Sequence, residues 1–141
     1  MSQQRFAVRT VAVALLMIAP LWTSGAGASS PLNVAINDAS NGRTISVPTG
    51  THITLMLHST YWRLSALPQQ GSLAIAGRVR TVGAPPATSK CVPGQECGTV
   101  TAHYVATGAG VERLRATRTT CGEALACSPS QGRWTITIRV R

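Results

Sequence analysis

Acidic residues are nearly absent from this chain of 141 residues: one aspartate and three glutamates stand against twelve arginines and a single lysine. Asp38, Glu96, Glu112 and Glu123 are scattered, with no pair at a spacing that suggests the two-carboxylate chemistry of glycoside hydrolysis. A Ser–His–Asp set would have to be built on Asp38, the only aspartate. The motifs G-x-S-x-G, H-E-x-x-H and the phosphate loop are missing. His52 and His58 share one strand parity but lie about 20 Å apart at 3.3 Å per residue, too far to hold one metal. His103 falls on another strand and is expected to face outward. These absences describe a protein that is not an enzyme and carries no cofactor and no metal.

Long apolar runs are scarce as well. "VAVALLMIAPLW" (Val11–Trp22) holds 12 residues, short of the roughly 20 that span a bilayer. It follows a basic opening with Arg5 and Arg9 and precedes Ala26-Gly27-Ala28, a small-x-small cleavage pattern. Residues 1–28 therefore read as a secretory signal peptide, with no cysteine at the cleavage point to take a lipid. Its removal leaves residues 29–141, a single domain of 113 residues with a net charge of +7 and no membrane span. The expected location is extracellular or in the cell envelope.

Four cysteines remain, in two brackets of equal spacing: "CVPGQEC" (Cys91–Cys97) and "CGEALAC" (Cys121–Cys127). In an oxidising compartment they are expected to pair. Local bridges Cys91–Cys97 and Cys121–Cys127 are favoured because each bracket contains turn formers; bridges crossing between the brackets are the alternative if the two loops lie side by side. Five intervening residues fit a four-thiolate zinc site poorly, since its ligands are usually two to four residues apart.

From Leu32 the chain alternates apolar and polar residues between turn signals, as half-buried antiparallel strands do. "HITLMLH" (His52–His58) sends Ile53, Leu55 and Leu57 to one face. "GTVTAHYVA" (Gly98–Ala106) does so with Val100, Ala102 and Tyr104, and "RWTITIRV" (Arg133–Val140) with Trp134, Ile136, Ile138 and Val140. Trp62 and Leu64 are expected to be buried from "YWRLSA". One or two short strands fit near Leu73–Ile75 and Arg78–Val82. No amphipathic helix of useful length follows the leader. The expected fold is an all-β, immunoglobulin-like antiparallel sandwich of about seven strands.

If Tyr61–Ala66, Val111–Arg118 and Arg133–Val140 share a sheet, alternation places Arg63, Arg113, Arg115, Arg133, Arg139 and Arg141 on its outer face. Such a face could meet anionic cell-surface polymer or lipid headgroups electrostatically. With Trp62 and Trp134 in the core, it lacks the exposed aromatics of single-stranded nucleic-acid binders, so no specific nucleic acid is expected.

The order of elements resembles the chagasin-type cysteine-protease inhibitors. "SNGRTISVPTGTHITLMLHS", followed by a loop entering a strand at Trp62, is similar to that family's first half. A glycine-containing loop, a strand, an A-G turn, a strand ending in arginine, a long loop and a final aromatic strand are similar to its second half. The resemblance runs from about Leu32 to Arg141. It implies an immunoglobulin-like fold whose three loops at one end wedge into a papain-like protease. In the family those loops carry N-P-T-T-G, G-x-G-G and R-P-W. Here the first keeps Ser59 and Thr60, the second echoes the glycines with Gly94 and Gly98 alone and places Gln95 in the loop, and the third keeps Arg118 followed by Thr119 and Thr120. By this resemblance both cysteine brackets fall at the binding end, where a staple would pre-organise a loop.

Overall fold

The computed structural model describes residues 30–67, 71–83, 97–122 and 125–141. The expected leader lies outside them, as do Cys91, Gly94 and Gln95. The described residues form an immunoglobulin-like β-sandwich. In one sheet β1 (Asn33–Asn37), β3 (His52–His58) and β7 (Gly98–Ala106) are neighbours in that order. β5 (Leu73–Ile75) and β6 (Arg80–Gly83) follow one another along the far edge of β7. In the other sheet the order is β2 (Thr44–Val47), β9 (Arg133–Val140), β8 (Gly110–Thr117) and β4 (Arg63–Leu64). The described residues hold nine strands, including β5 and β6 where one or two short strands were expected, against an expected total of about seven.

Two pairings depart from a purely antiparallel sandwich: β1 runs parallel to β3 and β2 parallel to β9. The first follows from the short turns after β1 and β2, which reverse the chain twice between β1 and β3. Asn37 caps a single 3-10 turn over Asp38–Ser40, accepting from the Ala39 amide at 3.0 Å, and Gly42 then adopts φ 74° to start β2 in the opposite sheet. Asn41 locks this crossing by accepting the Thr135 amide at 2.8 Å.

The core is the two inner faces, where register sets apolar residues opposite one another and two of the large ones, Leu55 and Trp134, opposite alanine. In one sheet Ile53 lies opposite Tyr104, Leu55 opposite Ala102 and Leu57 opposite Val100. In the other Trp134 lies opposite Ala116 and Ile136 opposite Leu114. All of these are buried. Burial of each large apolar side chain contributes about 1.5–3 kcal/mol, so this layer outweighs any single surface contact. Trp134 also donates its indole N–H to the Asn37 carbonyl at 3.2 Å, tying the sheets together. Leu64 was expected to be buried and is only half-buried. It sits on the two-residue edge strand β4, beside a cavity of about 600 Å³ between the sheet edges that Leu67, Leu73, Ile75 and Tyr104 also line.

Candidate functional site

The ends of β3 and β8 and the starts of β4, β7 and β9 meet at one end of the sandwich, so the loops between them converge. The first, His58–Trp62, is held in an unusual backbone path. Ser59 takes φ 104°, which a residue with a Cβ adopts only under constraint. Its amide donates to the Gly98 carbonyl at 2.9 Å, and its hydroxyl accepts the Tyr61 amide at 3.2 Å. Trp62 donates its indole N–H to the His58 carbonyl at 3.0 Å, closing the loop beneath a buried ring.

Gly98, at the start of β7, is where the second loop meets the first. A Cβ there would strike the Val82 carbonyl and lie 2.7 Å from the Thr60 methyl, so only glycine lets the two backbones approach. Cys97 beside it is disulfide-bonded, with its partner outside the described residues.

The third loop runs from Arg118 to Gly132. Its base is closed by the Arg118 amide on the Gly132 carbonyl at 3.0 Å. Within it the second cysteine bracket is a small hairpin. Cys127 donates to the Thr119 carbonyl at 2.9 Å, Cys121 donates to the Leu125 carbonyl at 2.8 Å, and Thr120 bridges Ala126. The Cys121–Cys127 disulfide spans the hairpin with a Cα separation of 4.9 Å, so this bridge is local. At the tip Leu125 is 62% exposed, a large apolar side chain shown to solvent on a stapled turn.

Arg118 joins the third loop to the first. Its guanidinium carbon sits 4.6 Å from the Trp62 ring centroid, and its Nε donates to the Gln131 carbonyl at 3.2 Å. The ring's negative face and the carbonyl thus orient the charge.

The residues singled out from sequence divide by exposure. Ser59 is buried and positions the loop; Thr60 and Thr120 are half-buried against neighbouring backbone; Arg118 is half-buried and Thr119 exposed. Sequence reasoning missed Leu125 as a display residue, and it missed a contact between Asp38 and His58. His58 Nδ1 lies 2.6 Å from Asp38 Oδ2, and the His58 amide donates to the same carboxylate. This pair fastens the 3-10 turn to the end of β3. Among the described residues no hydroxyl bonds to the imidazole, so the pair does not extend into a Ser–His–Asp relay, and no cluster of metal-ligating side chains forms.

Arg63, Arg113, Arg115, Arg133 and Arg139 are exposed on the outer face of the β2–β9–β8–β4 sheet; Arg141 lies just past β9 at the opposite end from the loops.

No protein-family model matches the chain, and no curated protein sequence matches it. Solved structures do resemble it. A cysteine protease inhibitor from Entamoeba histolytica superposes with a TM-score of 0.54 at 8% identity, covering 80% of this chain and 99% of that one. Amebosin superposes with a TM-score of 0.51 at 16% identity, covering 79% of this chain and 100% of that one. At such identities the likeness is one of fold.

Proposed function

We propose that this protein is an exported, non-catalytic binding module that engages a cysteine protease through the loop end of its sandwich. The observation that carries this reading is the joint anchoring of three loops on one another. Ser59 bonds to Gly98, and Arg118 stacks on Trp62, on a fold shared with a cysteine protease inhibitor. Loops locked before binding lose little entropy on docking, which favours tight association without catalysis. Arg118 and Leu125 are the anchors, one charged and one apolar, both held by backbone hydrogen bonds rather than by flexible stems. The bracket ending at Cys97, with Gly94 and Gln95, completes the contact.

The first loop lacks N-P-T-T-G, so inhibition of common papain-like enzymes is expected to be weak. The test is titration of the full chain against a panel of cysteine proteases that includes enzymes with differently shaped clefts. Stoichiometric inhibition of one member without cleavage of the inhibitor, weakened by Arg118→Ala and unaffected by Arg139→Ala, is the expected result. Cleavage as an ordinary substrate, or no inhibition across the panel, would overturn the reading. Export is tested separately by N-terminal sequencing of the protein in its native host: the mature chain is expected to start at Ser29, and a chain retaining Met1 contradicts it.

A further inference from the structure

The outer face of the β2–β9–β8–β4 sheet is ordered more strictly than solubility requires. Register places a hydroxyl residue directly opposite every arginine. Arg139 pairs with Ser46, Arg113 with Thr137, Arg115 with Thr135, and Thr117 with both Arg133 and Arg63. No two arginines are directly opposed, so the repulsion that like charges suffer in that position is avoided. None of the five has a carboxylate partner among the described residues, where the only ion pair is His58–Asp38. Glu112, the one acid on these strands, has the opposite parity and accepts the Ser72 amide at 3.3 Å. The side chains also leave a hollow between them. Arg113, Arg115 and Arg133 wall a groove of about 390 Å³, with Thr117 and Thr135 among its lining residues.

We infer that this groove binds a linear phosphodiester polymer of the polyol-phosphate kind, an extended chain of anions without bases. The match is one of period. Arg113 and Arg115 are two residues apart, about 6.8 Å along a strand. Two residues comprise six backbone bonds, and a phosphodiester chain with three carbons between its oxygens also has six bonds per phosphate. Extended, both repeats have nearly the same length, so successive phosphates fall beside successive arginines. Each guanidinium offers paired N–H donors to one phosphate, and the opposed threonine hydroxyl supplies another. A nucleic acid has the same backbone repeat, but its bases would find no exposed aromatic ring on this face to stack on. The polymer therefore fits and the nucleobase does not.

The inference is independent of protease binding, because the groove and the loop hairpin use different residues. The test measures binding of the full chain to synthetic poly(glycerol phosphate), with oligo-dT of equal phosphate count and anionic vesicles as separate arms. Three engaged phosphates are expected to give a slope of about −2 for log affinity against log salt. Arg113→Gln/Arg115→Gln is expected to lower affinity about tenfold per arginine and flatten that slope. Arg78→Gln/Arg80→Gln makes the same charge change away from this sheet, with Arg80 in β6 of the other, and is expected to retain binding. Thermal melting of both double variants checks that they fold. Equal losses in the two variants would reduce the effect to net charge and overturn the site. Tighter binding of oligo-dT would hand the groove to nucleic acid, and binding of vesicles alone would hand it to a lipid surface; either result overturns the polymer.

Discussion

Arg118 and Trp62 face each other one step beyond the Arg63–Thr117 register pair, the guanidinium 4.6 Å from the ring centroid. The ring is buried and its N–H is committed to His58, so a core residue doubles as the platform for a surface charge. In the proposed reading, stability and recognition share this one side chain.

Trp62→Ala is therefore expected to destabilise the domain by about 3–5 kcal/mol through the cavity it leaves. Arg118→Ala is expected to remove no more than about 1 kcal/mol, the range of an exposed cation–π contact. Urea unfolding of both variants checks this. A Trp62→Ala protein with unchanged melting would contradict the placement of the ring.

The stapled hairpin is expected to matter more for binding than for folding. A bridge of sequence separation 6 restricts the unfolded chain by only about 2 kcal/mol in the loop-entropy account. Cys121→Ala/Cys127→Ala should thus still fold but bind its partner less well. Thiol titration of the unreduced protein should find no free thiol, and finding four would remove the staples.

Gly98 and Gly42 both have positive φ but differ in surroundings. Gly42→Ala meets open space and is expected to cost about 1–2 kcal/mol for the left-handed backbone alone. Gly98→Ala adds a collision with the Val82 carbonyl and the Thr60 methyl, and should exceed about 3 kcal/mol. Equal costs at the two positions would show that the loops do not press together.

Burial raises the Tyr104 phenol above its ordinary value of 10.0. The unfolded chain then releases this proton first. The group's contribution to stability is intact below pH 10 and is lost as the pH climbs through the raised folded value. Tyr104→Phe is expected to lessen the loss of stability above pH 10 and to leave the pH dependence below it unchanged. An identical alkaline slope in the two proteins would place the hydroxyl in water.

The sequence made the faces legible and the partners less so. Alternation in Arg133–Val140 separated Trp134, Ile136, Ile138 and Val140 from the arginines and threonines correctly, because a period of two is a local property of an extended chain. The condition that the strands at Arg63, Arg113 and Arg133 share one sheet is met in the fold, but alternation alone could not group them. It carried no information on the parallel pairing of β2 with β9, since a face pattern reads the same in either strand direction. Leu64 was misjudged because its burial depends on how far an edge strand continues, and β4 stops after two residues. The Asp38–His58 contact joins residues 20 apart through a turn whose path only the fold defines. Leu125 was hidden for a different reason: nothing local distinguishes an apolar residue at the tip of a stapled hairpin from one in a core.

The parallel pairing of β2 with β9 also fixes an order of events. Among the described residues Thr44–Val47 finds its only sheet partner in Thr137–Val140, and the Asn41 clamp on Thr135 closes over 94 positions. β9 is a central strand, so until it arrives β8 and β4 form a two-strand fragment and β2 has nothing to pair with. Ordering of this kind places the domain among slow folders dominated by distant contacts. In a nascent chain the β2–β9–β8–β4 sheet is therefore incomplete until its central strand is made, whereas β1, β3 and β7 need nothing from it.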